Sequence, residues 1–487
     1  MIPDTQSEAA ALLARLAGVA PVETHISAVF VGRDTVWKMK KAVALGFLDF
    51  TRLEDRERFC RRELELNQPH APEIYRDVVP LTRGPDGALR EGGDGAPVEW
   101  ALRMAPIPQQ DFLDRITPDA ALLDALADAV AAMHQTAPRA EVDSVGSLRA
   151  ILDGNVPSAL SAGLPADRVA RWAEAARAEL SRIAPILARR AAQGFVRRCH
   201  GDLHLGNLCL WHGRPTPFDA LEFDEALARI DVGYDLAFLL MDLDLRHGRW
   251  AANRVLNRHV ARSGDAGLVA GLPLWMSMRA MIRAHVEARR GGRWSDLLTT
   301  AEAHLHPAPP RLVATGGLQG TGKSTLARAL APSLGRCPGA LILRSDETRK
   351  RRFGLAPEQR LPQDAYAEAI SRAVHADVYE MAAAALAGGQ SVVLDAVFLD
   401  PAHRAAAERV AREAGVPFDG IWLEAPLDVL RARIAARRDD ASDATEAVLL
   451  RAAAVDPGPI TWHRIAADDG AVMAASAAIG MDPPSVC

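Results

Sequence analysis

Lysine is nearly missing from this chain. Of 57 basic residues only five are lysines, Lys38, Lys40, Lys41, Lys323 and Lys350, so arginine carries the ordinary surface charge. A compact ammonium on a flexible stem serves as a point charge for phosphate oxygens where a planar guanidinium would not fit. Cysteines are also few and odd in number: Cys60, Cys199, Cys209, Cys337 and Cys487 have no metal-ligand spacing. That excludes a disulfide framework, suits a reducing compartment, and leaves them as buried or inert thiols. Long apolar runs are lacking too. Uncharged stretches such as Ala266 to Met278 and Ala471 to Met481 fall well short of the roughly 20 residues needed to span a bilayer. Asp4 and Glu8 precede a short Ala/Leu run broken by Arg15, without the basic start and apolar core of an export signal. A cytoplasmic protein with no membrane partner is expected. A net charge of -5 and a pI near 6.3 supply no broad basic face, which argues against nucleic acid as a partner.

At 487 residues the chain is too long for one core, and 49% hydrophobic with 24% charged residues is ordinary for globular domains. Two or three domains follow. Three prolines in four residues, Pro307, Pro309 and Pro310, mark an extended connection over 304–310. Upstream, short alternating runs over 22–38, 78–81 and 99–104 with one charged helix over 53–66 predict a small β-rich lobe, 1–105. Helical patterning over 120–134, 164–192 and 275–290 predicts a helical lobe, 106–303. Over 311–487, apolar strands at 312–315, 340–343, 391–394 and 420–423 alternate with helices at 364–387, 401–414 and 427–438. Such alternation predicts a parallel sheet flanked by helices.

Two motifs of unrelated design carry phosphate chemistry. Gly317-Leu318-Gln319-Gly320-Thr321-Gly322-Lys323-Ser324 has the Walker A spacing. Its backbone N–H groups surround phosphates, Lys323 neutralises them, and Ser324 reaches Mg2+. The strand before it and the helix expected near Lys323 are the context such a loop requires. Further upstream, His200-Gly201-Asp202 through Asn207 has the spacing of a loop in which an Asp orients an attacking hydroxyl and an Asn five residues on binds Mg2+.

That second motif, followed by Phe218-Asp219-Ala220-Leu221-Glu222-Phe223 and Tyr234-Asp235-Leu236-Ala237, resembles the aminoglycoside phosphotransferase and choline kinase superfamily. The resemblance implies a bilobal, protein-kinase-like α+β domain over 1–303, with Asp202 as catalytic base, Asn207 and Asp219 as Mg2+ ligands, and Asp235 ordering the lobe. In Val36-Trp37-Lys38-Met39-Lys40-Lys41, Lys38 is the choice for the ATP-phosphate lysine, with Glu63 as its helix partner. Lys40 competes for the first role, and Glu57 and Glu65 for the second; Lys40 and Lys41 are otherwise expected to solvate a strand end. No Gly-x-Gly-x-x-Gly loop precedes Lys38, so the turn over the phosphates falls to Ser27 or Gly32. Gly201 replaces the arginine of the protein-kinase motif, which removes regulation through a phosphorylated activation loop. His200 and His204 are expected to be architectural.

Residues 311–465 resemble the small P-loop kinases, which include polynucleotide kinase, gluconate kinase and zeta-toxin-like enzymes with an AAA-type ATP-binding domain. The resemblance implies ATP bound by Gly317, Gly320, Gly322, Lys323, Ser324 and Thr325, with Asp346 as the base. Asp395, ending the strand Val392-Val393-Leu394-Asp395, orients Mg2+ together with Ser324. Arg431, Arg433, Arg437 and Arg438 stand where such enzymes carry lid arginines, and Arg433 and Arg437 are assigned to ATP. The whole is expected to be a multidomain α/β protein, a kinase-like domain followed by a P-loop NTPase domain. Its expected activity is ATP-dependent transfer to hydroxyls of small molecules at two sites; no oligomeric state is implied. The alternatives are one catalytic head with the other sensing ATP, or a P-loop head acting on nucleic-acid ends.

Overall fold

The computed structural model describes residues 1–45, 48–306, 308–436 and 442–481. It divides into two compact units, 1–142 with 191–235, and 143–190 with 236–487. In the first unit a six-stranded antiparallel sheet runs Val22–Glu23, Ser27–Val31, Val36–Lys40, Pro97–Met104, Tyr75–Arg83, Leu89–Glu91. Strand side chains alternate between faces. Trp37 and Met39 therefore join Ala28, Phe30 and Leu81 under the helix Ser7–Ala17, while Val36 packs with Tyr75, Leu102 and Phe218 on the other face. The same period of two sends Lys38 and Lys40 to Val36's side. The turn after Ser27–Val31 is at Gly32, whose N–H donates to Thr35 O (3.0 Å); Ser27 is a buried strand residue instead.

In the second unit the order Leu341–Arg344, Val392–Asp395, Leu312–Gly317, Phe418–Glu424, His463–Ala466 forms an all-parallel sheet. Of its strands, Leu341–Arg344, Val392–Asp395 and Leu312–Gly317 are buried along their whole length and mainly apolar, as cover on both faces requires. Four of these five strands lie where the apolar runs place them, and the fifth, His463–Ala466, is too short and polar to stand out. The edge strand Leu341–Arg344 is covered by the helix Arg249–Ser263. There Asn253 Nδ2 donates to Ala340 O (3.0 Å) and Asn257 Oδ1 accepts from Ile342 N (2.6 Å). An open sheet edge is thereby satisfied by side chains from upstream of residue 304, so functional tests belong on the full chain. Within the segment expected as a linker, His304 closes the helix Ser295–His304 and is buried; Pro307 lies outside the described residues.

His285 and His304, 8% and 7% exposed, are held neutral: burial, aided by Arg289 and Arg249 respectively, lowers each imidazole to about 4. Unfolded, each takes a proton near 6.5. Between those values the unfolded chain binds protons that the folded chain refuses. Stability is thus fully present above about pH 6.5 and drains as pH falls toward 4, by about 3 kcal/mol per imidazole at most. Urea midpoints of the full chain should fall steeply across that window, and His285→Gln should flatten the fall.

Candidate active sites

The first site is assembled by pairing. The hairpin Leu208–Trp211 with Arg214–Pro217 brings its two ends together, and Phe218 N donates to Asn207 O (3.1 Å), placing Asn207 beside Asp219. Asn207 Nδ2 donates to Asp202 O and to Asp202 Oδ2, both at 3.0 Å. The loop behind them is fixed by Asp235, fully buried, whose carboxylate accepts from His200 N (3.2 Å) and Gly201 N (2.8 Å) and meets His134 Nε2 at 3.1 Å. Gly201 has φ 85°, and a Cβ there would stand 3.0 Å from Leu221 Cβ, so the arginine of protein kinases has no room. His200 and His204 hold the loop as expected. His200 Nε2 meets Phe218 O (2.9 Å), and His204 Nδ1 accepts from Gly206 N (3.0 Å).

Lys38 Nζ donates to Glu63 Oε1 (2.7 Å) and to Asp219 Oδ1 (2.5 Å). Burial works against its charge, but Asp219 and Glu63 override it and hold the ammonium well above its ordinary range. For Asp219, burial pushes the carboxyl up and Lys38 more than reverses this, leaving it below the usual carboxylate range. Asp219 has φ 61°, and its N–H donates to the buried Tyr75 hydroxyl (2.9 Å). Glu63 is fully buried, whereas Glu57 and Glu65 pair on the surface with Arg61 and Arg62.

Lys40 and Lys41 depart from expectation. Neither solvates a strand end: Lys40 is 1% exposed, donating to Glu63 Oε2 (2.5 Å) and to Glu222, and Lys41 is buried beside Glu23 (3.3 Å). The cause is the strand's period of two, which points Lys40 at the same buried carboxylate as Lys38. Removing one partner of such a network leaves buried charge uncompensated, so Lys40→Met should cost about 3–5 kcal/mol in a denaturation experiment. Lys38→Met, at the cleft, should chiefly weaken ATP binding. Glu222, Tyr75, Asn67 and His134 are site residues that sequence reasoning missed. Glu222 stood within the quoted 218–223 motif, which was its available signal.

The second site is a cavity of about 500 Å3 lined by Gly320, Gly322, Lys323, Ser324, Thr325, Asp346, Asp395 and Arg433. Gly317 lies beneath the loop with φ 131°, where a Cβ would meet Leu423 O at 2.4 Å. The helix Lys323–Leu330 starts at the expected residue, and Lys323 Nζ donates to Leu318 O (2.8 Å). Ser324 Oγ donates to Asp395 Oδ2 (2.6 Å), and Arg344 Nε, also unforeseen, donates to the same oxygen (3.0 Å). Asp346 is the second residue of the helix Ser345–Arg352, whose N-cap is Arg344, so it is no helix cap. Burial raises its carboxyl, against the pull of Arg344.

Arg433 Nη2 donates to Ala467 O (2.8 Å) and Nη1 reaches Gly320 O (3.5 Å), at the mouth of the loop. Arg431 is engaged on the surface by Glu446 (2.6 Å). Arg437 and Arg438 lie outside the described residues. Lys350 is wholly buried, donating to Pro357 O (2.7 Å) and Asp443 (3.2 Å). Cys60, Cys199 and Cys209 are buried free thiols, and burial pushes Cys60 and Cys209 up to about 12; Cys487 lies outside the described residues.

Comparison with known proteins adds the family. An uncharacterized protein of Mycobacterium tuberculosis, Rv2004c, is 31% identical over 465 residues, covering 91% of this chain and 91% of its own. The chain belongs to the Rv2004c family. In this Rv2004c-family chain, residues 312–456 match the AAA domain family. An adenylyl-sulfate kinase of Myxococcus xanthus is 38% identical over 120 residues, 24% of this chain and 59% of its own. A choline kinase structure from Cryptosporidium parvum is similar over 58% of this chain and 87% of its own, at 7% identity and a TM-score of 0.38. In this member of the Rv2004c family the matched AAA domain carries the P-loop cavity, with Ser324 bonded to Asp395. Among the described residues no helix is long and apolar enough to cross a membrane.

Proposed function

We propose that this chain is a cytoplasmic kinase with two ATP sites, one within 1–303 and one within 311–487, each transferring the γ-phosphoryl group to a hydroxyl of a small molecule. The observation that carries this reading is a repeated set of groups. In each site a lysine suited to phosphate (Lys38, Lys323) accompanies one carboxylate of metal-ligand type (Asp219, Asp395) and one suited to a hydroxyl (Asp202, Asp346).

The donor sets fit magnesium. Asn207 directs its Nδ2 at Asp202, which leaves Oδ1 as a hard oxygen beside Asp219, and Ser324 with Asp395 supplies hydroxyl and carboxylate oxygens. When bound, the ion neutralises charge building between the β- and γ-phosphates. Asp202 accepts the acceptor hydroxyl's hydrogen bond and aims its oxygen at phosphorus. As that O–P bond forms and the bond to the β-bridging oxygen breaks, the hydroxyl proton passes to the carboxylate and ADP leaves. Lys38, held by Glu63, keeps its charge on the phosphates throughout. Asp346 plays the base in the second site, its raised carboxyl bringing the proton affinity closer to that of a working base. Arg433 adds positive charge at the loop mouth.

The test is a screen of fractionated metabolite extract with γ-labelled ATP and the full chain. Two labelled products are expected, one lost in Lys38→Met and the other in Lys323→Ala. A single product lost in both variants would contradict two independent heads.

A further inference from the structure

Away from the nucleotide cleft, the first unit contains a cavity of about 650 Å3. Lys38, Glu63, Asp202, Asn207 and Asp219 are not on its wall. Four guanidiniums are: Arg62, Arg139, Arg198 and Arg229. The opposing carboxylates are Glu65, Glu141 and Glu225; Glu65 and Glu141 stand at exposed positions, as do Arg139 and Arg229. Glu225 is shared by Arg62 (2.9 Å), Arg198 (3.3 Å) and Arg229 (3.2 Å), and Arg62 also pairs with Glu65 (2.8 Å). Arg198 has an 8% exposed side chain, and its Nε has no hydrogen-bond partner among the described residues. Arg139, at an exposed position, has no side-chain hydrogen bond among the described residues. A buried donor left unsatisfied costs free energy, and Arg198, the one buried guanidinium of the four, shares Glu225 with two others, so an anion beside it would compensate its charge. The remainder of the wall is largely apolar, with Leu66 and Met133 among it.

We propose that this cavity is a second ligand site, for a small oxyanion carried on an apolar body, such as a carboxylate or a phosphomonoester. Guanidiniums in fork geometry suit either head group, and a cavity of this size holds a small organic molecule. Its back wall includes His200, next to the Asp202 loop, and Asn67, whose Oδ1 accepts from Ala220 N (2.9 Å) beside Asp219. A bound anion would therefore touch the loops carrying Asp202 and Asp219 without entering the nucleotide cleft. The site does not depend on the phosphotransfer reading, because none of the residues given catalytic, metal or phosphate roles lines it.

The experiment uses the full chain saturated with a non-hydrolysable ATP analogue, so that phosphate-binding loops are filled, and titrates phenyl phosphate and benzoate calorimetrically. One equivalent should bind, with phenol and inorganic phosphate each at least tenfold weaker because one lacks the head and the other the body. Binding of both probes marks an oxyanion site in general, and binding of phenyl phosphate alone marks a phosphomonoester site. Arg198→Met is the direct variant, but Arg198 also holds Cys199 O (2.7 Å) and Leu221 O, so its loss can unfold the loop. Arg139→Ala and Thr136→Trp, at exposed positions on the wall, should each weaken binding at least tenfold in a folded protein. No binding of either probe, equal binding in both variants, or competition by the nucleotide analogue would overturn the proposal.

Discussion

Asp202→Asn should lower transfer by the N-terminal site about 10²- to 10⁴-fold while leaving its ATP affinity and the melting temperature close to those of the parent. The substitution keeps side-chain volume and an oxygen that can still accept from Asn207 Nδ2, and it leaves the Asp202 backbone carbonyl bonded to the same amide. What it removes is the carboxylate that orients the hydroxyl and takes its proton. The assay follows the product that depends on Lys38; unchanged turnover with that product would remove Asp202 from the chemistry.

Asp346→Asn should have a comparable effect on the product that depends on Lys323, with a different stability signature. A helix-capping Asp would cost about 1 kcal/mol on loss. Asp346 is no cap, and burial already disfavours its charged form, so the neutral isostere should melt at the same temperature or higher. Catalytic loss without destabilisation is the mark of a group kept for function at some cost to the fold. A variant that melts lower yet transfers normally would instead place Asp346 among structural residues and remove it from the chemistry.

Much of both sites was legible because their chemistry is local in sequence. The Walker loop needs its glycines, lysine and serine within eight positions, and the structure places its helix start at Lys323. The five-residue step from Asp202 to Asn207 is likewise closed by direct hydrogen bonds. Lys38 and Glu63 could be paired from a strand followed by a charged helix. What stayed hidden depends on partners remote along the chain. Lys40 looks like a strand-end charge until Glu63, 23 residues away, and Glu222, 182 residues away, close around it. Arg344 reads as an ordinary arginine after a strand, and only the parallel register beside Val392–Asp395 brings it to Asp395. The helix Ser7–Ala17 was visible only as a short alanine and leucine run, because its apolar stripe has meaning only against Phe30 and Met39. The cover given to the Leu341–Arg344 edge by Asn253 and Asn257 is a similar case: two asparagines in a helix carry no local sign that they satisfy a strand.

Two nucleotide sites in one chain can be counted. Calorimetric titration of the full chain with a magnesium-complexed, non-hydrolysable ATP analogue should give two equivalents for the parent, one for Lys38→Met, one for Lys323→Ala, and none for the double variant. One equivalent in the parent, unaffected by either lysine substitution alone, would contradict two ATP sites.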